Sequence, residues 1–377
     1  MNILIAIDSF KGSISSLDSA KAIEEGIRKV YIDANVNAFP IADGGEGTVD
    51  AIVSCMNGEF KNVRVHNPLG NIIESKYGVV GETAIIEMAS AAGITLVTDK
   101  ERNPMNTTTY GVGEMIKDAV ENGYRDFVIG IGGSATNDGG TGMLAALGYE
   151  FLTKEGKKTE LGAKGLKELY SISDKNALKE LSECTFNVAC DVINPLCGPL
   201  GCSRIYGPQK GADEDMIIKM DKWLDKYAEL SKTINKNADK NFRGAGAAGG
   251  MGFAFKTFLN ANLTPGVELI LNKLGINEKM AQADIVITGE GRLDNQTSMG
   301  KAPTGVSKLA KKYNKPVIAF SGVVSEGAEK CNDCGIDAFF PIIRRVCTTK
   351  EAMNTENAYK NLRDTVEQTF RLIKTFR

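Results

Sequence analysis

Ile3-Leu4-Ile5-Ala6-Ile7-Asp8 is an unbroken apolar stretch that ends at an acid. Such a stretch suits a strand buried on both faces of a parallel sheet, because a strand with one exposed face would alternate apolar and polar residues. Segments with helical periodicity lie between further stretches of this kind, so the sequence predicts an α/β fold. Those further stretches are residues 83–88, 127–131, 186–190, 283–288 and 317–320.

The two ends of the chain share this strand-helix-strand character, whereas the part between them is mixed. Residues 60–65 and 73–80 alternate apolar and polar side chains around a turn that contains Pro68 and Gly70, which favours antiparallel pairing. We therefore predict a doubly wound, discontinuous domain and an inserted mixed α/β domain. The first comprises residues 1–60 and 283–377, and the second comprises residues 61–282.

Composition excludes several classes of function. The chain has 377 residues and a formal net charge of -2, so it lacks the basic footprint of a nucleic-acid-binding protein. No apolar stretch reaches the ~18 residues of a membrane span, and residues 1–8 do not resemble a signal peptide, so we expect a cytoplasmic protein without a membrane partner. Its eight cysteines are then expected to be reduced thiols. Because His66 is the only histidine, a catalytic base is expected to be a carboxylate.

Three glycine-rich segments, at residues 42–48, 130–140 and 288–297, carry carboxylates or hydroxyls. Glycine lets backbone N–H groups approach an anion, and carboxylate and phosphate oxygens are preferred ligands of Mg²⁺. Together with nearby cationic side chains, the segments indicate phosphoryl transfer from a nucleotide. Their candidate ligand-binding residues are Asp43, Gly44, Gly45 and Glu46 in the first segment, Gly132, Gly133, Ser134, Asn137 and Asp138 in the second, and Glu290, Asp294 and Gln296 in the third.

Further candidates follow predicted strands, where open α/β sheets bind their ligands. Asp8 and Ser9 end the first strand, and Lys11 can neutralise a phosphate; the alternative is a turn cap with a solvated lysine. Asp191 follows the strand of residues 186–190 and can accept a proton from a hydroxyl, with Asn194 orienting the substrate or a metal-bound water. The other candidates are Gln209, Lys210, Arg292 and Lys301.

Two other functions remain open from these patterns. Residues 130–135 fit the G-x-G-x-x-A fingerprint of an NAD-dependent dehydrogenase, here one acting on a small hydroxy acid. Against it, a polar glycine loop continues to Gly140, where the fingerprint requires a helix. The second alternative is a non-catalytic sensor of a nucleotide or an acid. A Walker-type P-loop is excluded, because no G-x-x-x-x-G-K-[ST] occurs in the sequence.

The chain resembles the bacterial type I glycerate kinases from residue 2 to about residue 325. The similarity lies, in the family's order, in residues 8–13, 42–48, 130–140, 190–196, 208–212, 244–249 and 288–297. The resemblance implies Mg²⁺-dependent phosphorylation of D-glycerate by ATP, with 2-phosphoglycerate as the favoured product. It also implies two domains, one of them Rossmann- or flavodoxin-like, with the active site in the cleft between them. The sequence leaves a homodimer open as the oligomeric state.

On this hypothesis the γ-phosphoryl group of ATP is transferred in line to a glycerate hydroxyl, and the protein contributes positioning and charge compensation. Asp191 is the predicted acceptor of the hydroxyl proton. Asp8 and Asp294 are candidate ligands of Mg²⁺ or substrate, and Gly132, Gly133 and Ser134 would offer backbone N–H groups to an anion. The candidates for the phosphates and for the glycerate carboxylate are Lys11, Arg292 and Lys301.

Overall fold

The structure is a computed structural model that describes residues 1–41, 47–295, 297 and 301–376. The candidates Asp43, Gly44, Gly45, Glu46 and Gln296 lie outside the described residues. Within them, the chain divides into two compact units. The first contains residues 1–41, Asp50–Met56 and 265–376, and the second contains residues 47–49 and Asn57–Thr264.

The strands of the described residues are, in chain order, β1 (Asn2–Ile7), β2 (Asn35–Pro40), β3 (Glu59–His66), β4 (Ile72–Val80), β5 (Thr83–Glu87), β6 (Asp126–Gly130), β7 (Glu150–Leu152), β8 (Ser171–Ser173), β9 (Thr185–Ala189), β10 (Asn262–Thr264), β11 (Ile285–Leu293), β12 (Val317–Val324) and β13 (Ala338–Pro341). The α-helices are α1 (Ser16–Arg28), α2 (Thr48–Cys55), α3 (Ala89–Ala92), α4 (Tyr110–Glu121), α5 (Thr141–Ala146), α6 (Cys202–Tyr206), α7 (Glu214–Ser231), α8 (Ala247–Leu259), α9 (Gly266–Lys273), α10 (Asn277–Gln282), α11 (Ala302–Lys312), α12 (Lys330–Asp333), α13 (Thr349–Ala352) and α14 (Thr355–Thr375).

The first unit is built on a five-stranded sheet in the order β13-β12-β11-β1-β2, and every neighbouring pair is parallel. Ile3–Ile7 of β1 are completely buried, which confirms the prediction of a strand covered on both faces. Ile3, Ile5 and Ile7 pack in one cluster with apolar residues of α1 and α14. Helix α11 also lies against β1, β11 and β12, so the strands are enclosed by helices.

Local capping signals fix the ends of the longer helices. The Asp213 carboxylate accepts the Met216 N–H at 2.8 Å, so Asp213 caps α7. Asn354 caps α14 in the same way, through the N–H of Asn357 at 3.1 Å. A side-chain acceptor at this position satisfies one of the N–H groups that the first turn of a helix leaves without a partner.

The second unit contains a mixed six-stranded sheet in the order β10-β9-β6-β5-β4-β3. Strands β3 and β4 pair antiparallel, as the alternation in residues 60–80 predicts. Strand β5 also pairs antiparallel with β4, and β5, β6, β9 and β10 pair parallel. The rings of Phe127 and Phe186 stack with centroids 4.9 Å apart between β6 and β9. No helix in the described part of the chain combines the length and the hydropathy needed to cross a bilayer.

A glycine in α1 tests the packing of the first unit. A Cβ atom at Gly26 would lie 2.5 Å from the Arg363 carbonyl oxygen and 2.9 Å from the Val366 Cβ in α14. Alanine normally stabilises a helix interior by ~1 kcal/mol relative to glycine, but we expect Gly26→Ala to lower the free energy of unfolding by about 1–3 kcal/mol, because the two helices must separate. Equilibrium urea unfolding measures the change. Lys21→Ala, on the exposed side of α1, is the control, and a Gly26→Ala protein as stable as the wild type would contradict the packing.

Candidate functional site

The carboxyl ends of the strands in the first unit form one edge of its sheet. Strand β2 lies on one side of β1 and strands β11, β12 and β13 lie on the other, so the chain reverses its direction of winding between β1 and β11. Open α/β sheets bind ligands in the crevice outside the strand ends at such a point. Asp8 lies there, because its backbone N–H donates to the Gly289 carbonyl at 3.1 Å.

A closed turn after β1 presents Lys11. The Phe10 N–H donates to the Ile14 carbonyl at 2.9 Å, and the Ser13 N–H donates to the Phe10 carbonyl at 2.7 Å. The Thr355 hydroxyl donates to the Ser13 carbonyl at 2.9 Å and fastens this turn to the start of α14. Lys11 is therefore exposed at the tip of a turn whose backbone is fixed. Asp8 is buried beside it, and its carboxylate accepts the Ser9 N–H at 2.6 Å.

Strand β11 is longer than the sequence predicts. Residues 283–288 were expected to form the strand and the polar residues after them a loop, but β11 continues to Leu293. It continues because β12 runs beside it, with Leu293 in register with Val324. Glu290 and Arg292 consequently stand on a strand that projects past the end of β1, with Glu290 buried and Arg292 exposed.

A buried threonine organises the carboxylates after β11. Thr297 donates its hydroxyl to Glu290 Oε1 at 2.6 Å, and its backbone N–H donates to Asp294 Oδ1 at 3.1 Å. Lys301 Nζ lies 3.9 Å from Glu290 Oε2 and 3.9 Å from Asp294 Oδ1, so one cation compensates two acids. The sequence analysis did not single out Thr297; its signal was the spacing of three from Asp294, which is typical of side-chain turns.

A cavity of about 540 Å³ opens at this edge of the first unit. Its lining includes the predicted residues Ser9, Lys11, Glu290, Arg292, Asp294 and Lys301. It also includes Arg345, which the sequence analysis missed, together with apolar residues from the stretch after β13. Nothing in the sequence distinguishes Arg345 from Arg344; only the structure shows that Arg345 lines the cavity.

The predicted residues of the second unit gather at the edge where β6 and β9 end. These parallel neighbours keep Gly130 in register with Ala189, so the loop of residues 131–140 and Asp191 leave the sheet together. The loop is held by backbone hydrogen bonds from Ile94 N–H to the Gly133 carbonyl, 2.8 Å, and from Ala135 N–H to the Ala92 carbonyl, 2.9 Å. Asp191 is exposed.

Lys210 lies beneath the loop rather than in solvent. Only 2% of its surface is exposed, and its ammonium donates to Ser134 Oγ at 2.7 Å and to the Thr136 carbonyl at 2.6 Å. Burial lowers the pKa of Lys210 to about 8, while the nearby Cys202 and Asp138 act in the opposite direction. The sequence gave no sign that the side chain of Lys210 is enclosed. Gln209, next to it, is exposed.

Three candidates of the second unit use their side chains to hold loops. The Asp138 carboxylate is fully buried, and Oδ2 accepts the N–H and the hydroxyl of Thr109 at 2.9 Å each. Burial raises the pKa of Asp138, and these hydrogen bonds oppose the rise. Asn137 is fully buried and donates to Ser203 Oγ at 2.8 Å. The Asn194 amide donates to the Leu200 carbonyl and accepts the hydroxyl of Tyr206, so all three side chains are left out of the binding site proposed below.

The geometry does not favour a nicotinamide site at residues 130–135. Helix α5 begins only at Thr141 and has six residues, so no helix starts where the pyrophosphate would lie. The separate glycine-rich stretch at residues 244–249 serves close packing against this loop. A Cβ at Gly249 would lie 2.1 Å from the Thr136 carbonyl oxygen, and the Gly139 N–H donates to the Gly249 carbonyl at 2.9 Å.

One acid of the second unit was not singled out in the sequence. Glu87 closes β5, and its Oε1 accepts the Val49 N–H in the first turn of α2 at 2.7 Å. A carboxylate at a helix N-terminus is favourable, since the first N–H groups have no partner within the helix. Among the described residues, no group of three or more His, Cys, Asp or Glu side chains is arranged to hold a metal ion.

Comparison with known proteins agrees with this arrangement. Residues 3–374 match the sequence model described as the Glycerate kinase family. The chain belongs to this family. It is 46% identical to the glycerate kinase of Halalkalibacterium halodurans over 93% of each chain, and 44% identical to the glycerate 2-kinase of Escherichia coli K12 over 96% of this chain and 95% of that one. The family resemblance and the prediction of a glycerate kinase, a phosphotransferase, are thereby confirmed.

A solved structure gives the same result for the fold. The crystal structure of the Salmonella typhimurium LT2 protein assigned as glycerate kinase 2 matches with a TM-score of 0.90 and 44% identity. The match covers 100% of this chain and 98% of the other. The predicted α/β class, with both sheets and helices, is therefore confirmed.

The buried lysine of this kinase should be visible in the pH dependence of its stability. At neutral pH, Lys210 is charged in both the folded and the unfolded chain. Between pH ~8 and pH ~10.4 the unfolded chain binds more protons than the folded one, so the contribution of Lys210 to the free energy of unfolding rises with pH. We expect the free energy of unfolding of the wild type to rise relative to that of Lys210→Met over this range, by at most ~1.4 kcal/mol per pH unit.

Urea unfolding at several pH values measures that difference. Lys164→Met is the control, because Lys164 is an exposed lysine of the same unit. If the free energies of unfolding of the wild type and Lys210→Met change with pH in parallel, the lowered pKa of an enclosed Lys210 is contradicted.

Proposed function

We propose that the protein transfers the γ-phosphoryl group of ATP to the 2-hydroxyl of D-glycerate, forming 2-phosphoglycerate and ADP. The observation that carries the proposal is the sheet edge of the first unit, where cations and carboxylates surround one cavity. Phosphoryl transfer needs this combination, since charge on the phosphates must be compensated and the reactants positioned. The name of the Escherichia coli relative, glycerate 2-kinase, supports the choice of hydroxyl.

We propose further that the first unit is a flavodoxin-like, doubly wound domain and that the second is a mixed α/β domain inserted in it. Counted within the first unit alone, the strand order is 2-1-3-4-5, which is the flavodoxin-like order. Such domains bind ligands between their first and third strands, here β1 and β11. Asp8 follows the end of β1, and Glu290 lies on the part of β11 that projects past it.

Mg²⁺ is proposed as the metal of the reaction, with Asp8 and Asp294 as its protein ligands. Their donor atoms fit, since Mg²⁺ binds through one or two carboxylates together with phosphate oxygens and water. A cluster of three acids is therefore not required. The ion would neutralise charge that develops on the β- and γ-phosphates. Thr297 and Lys301 engage Glu290 as well as Asp294, so Glu290 is a neighbouring carboxylate of the proposed metal site.

The remaining roles follow from exposure and from hydrogen bonding. Lys11 and Arg292 are exposed at the cavity and are proposed to bind phosphates. Asp191 is exposed at the end of β9 and is proposed to accept the proton of the reacting hydroxyl. Within the described part of the chain, the N–H groups of Gly132 and Gly133 meet no acceptor, so they remain available to an anion.

Three proposals rest on the sequence alone. A net charge of -2 and the absence of a basic cluster support action on small molecules without a nucleic-acid or membrane partner. A cytoplasmic location is proposed because no apolar stretch of the sequence is long enough to span a membrane, and a homodimer is proposed as the oligomeric state to be tested. Sedimentation of the purified protein tests the homodimer directly.

A coupled assay of ADP release tests the reaction on D-glycerate, and phosphorus NMR identifies the product. We expect turnover that requires Mg²⁺ and a product resonance of 2-phosphoglycerate; 3-phosphoglycerate would contradict the choice of hydroxyl. A change in nicotinamide absorbance on mixing with NAD and glycerate, without ADP release, would favour the dehydrogenase. Thermal stabilisation by ATP without any product would favour the sensor.

Asp191→Asn tests the proposed base. The amide cannot accept a proton, so we expect kcat to fall at least ~10²-fold, in the range of general-base effects. Stability should change by no more than ~0.5 kcal/mol, because the side chain is exposed. Asp174→Asn, another exposed acid of the second unit, is the control and should retain the wild-type kcat. Turnover of Asp191→Asn within a few-fold of the wild type would remove Asp191 from the role.

A further inference from the structure

The cavity of the first unit is too large for glycerate alone. Its volume is about 540 Å³, within the ~300–1,000 Å³ that drug-sized ligands occupy. A three-carbon acid fills a small part of such a space and has almost no apolar surface to bury. The occupant should therefore be a larger molecule with both an apolar and an anionic part.

The sheet edge under this cavity carries no side chains at two neighbouring positions. Gly291 on β11 and Gly322 on β12 both line the cavity. A Cβ at Gly291 would be in van der Waals contact with the Phe10 Cα at 3.4 Å, so the turn after β1 lies directly against the backbone there. A Cβ at Gly322 would lie 2.7 Å from the Gly291 carbonyl oxygen, which shows how closely the strand ends approach.

Apolar side chains line one part of the cavity although they are open to solvent. Val323, Ile343 and Met353 are exposed, and Val346 is fully exposed. A single exposed apolar residue is ordinary, but several around one cavity with charged residues indicate a binding surface. A flat heteroaromatic ring buries such side chains without requiring a hydrogen bond from them.

Exposed cations line another part of the cavity, beside the carboxylates Glu290 and Asp294. Lys11, Arg292 and Arg345 line it and are exposed, so they can contact a ligand without first leaving the protein interior. The neighbouring Arg344 differs, because it donates to Asp364 Oδ2 at 3.1 Å and does not line the cavity. Arginine suits phosphate oxygens, since its guanidinium donates two parallel hydrogen bonds.

We propose that this cavity binds the nucleoside triphosphate, with its base against Val323, Ile343, Val346 and Met353 and its polyphosphate on Lys11, Arg292 and Arg345. The inference rests on the proposed kinase function and assigns one of its two substrates to the first unit. It adds Arg345 and the stretch after β13 to the nucleotide site. Glycerate is excluded as the main occupant, because it has neither the size nor an apolar part.

The first experiment compares the two adjacent arginines. Equilibrium dialysis of the full chain with ADP should show binding about tenfold weaker for Arg345→Gln, the loss of one charge-assisted contact. Arg344→Gln should bind ADP within twofold of the wild type, because its partner is Asp364. Both residues are exposed, so both variants should fold. Equal ADP binding by the two variants would overturn the inference.

The second experiment separates the base from the phosphates. Val346→Ser should weaken binding of ADP several-fold and leave binding of inorganic tripolyphosphate unchanged, whereas Arg345→Gln should weaken both. Ile32→Ser, a highly exposed apolar residue of the same unit that does not line the cavity, should change neither. If Val346→Ser leaves ADP binding unchanged, the base does not lie on this surface and the inference fails.

Steady-state kinetics distinguish this inference from the proposed function. We expect Arg345→Gln to raise KM for ATP about tenfold and to leave KM for glycerate within twofold. An increase in KM for glycerate alone would overturn the nucleotide site while the kinase function stands. A third outcome is also informative. The wild type binds ADP in dialysis and Arg345→Gln weakens that binding, but no ADP is released from ATP with glycerate. This result would support the nucleotide site and overturn the kinase function.

Discussion

The parallel pairing of β1 with β11 is the constraint on which the first unit depends. It joins strands from near the two ends of the chain, with Ile3 in register with Ile285 and the Asn2 N–H donating to the Asp284 carboxylate at 2.7 Å. Until β11 is in place, one edge of the apolar β1 has unpaired N–H and C=O groups. The sheet therefore closes only when a very long stretch of chain has been bridged, which costs entropy before any contact is gained.

The same pairing assembles the cluster at the sheet edge. Asp8 and Lys11 come from the start of the chain, and Glu290 and Arg292 come from the far end, so no local segment contains the set. Thr297 then fixes the Glu290 carboxylate from inside the unit. Because these groups meet only in the closed sheet, a mutation that loosens β1 from β11 acts on the site as well as on stability.

Local signals in the sequence were sufficient for much of the fold. The uniform apolar character of β1 is visible within a few residues of sequence, and its burial was predicted correctly. The extension of β11 to Leu293 was not predictable, because it depends on β12, which follows later in the chain. The tendency of open α/β sheets to bind ligands at their strand ends located the candidate site. Arg345 reaches that site from a stretch without any local pattern.

Burial decides what the charged residues of this protein can do, and the sequence does not reveal it. Lys210 and Asp138 carry the charges of ligand-binding residues, yet both are enclosed and already hydrogen-bonded. An enclosed ammonium costs desolvation energy and is retained here by two acceptors, Ser134 Oγ and the Thr136 carbonyl. It can attract an anion on the outer side of the loop without touching it, since charge interactions reach farther where water is excluded. Lys11 and Arg345 are exposed and can bind a ligand by direct contact. The two units thus hold positive charge in different environments, enclosed at Lys210 and exposed at Lys11 and Arg345.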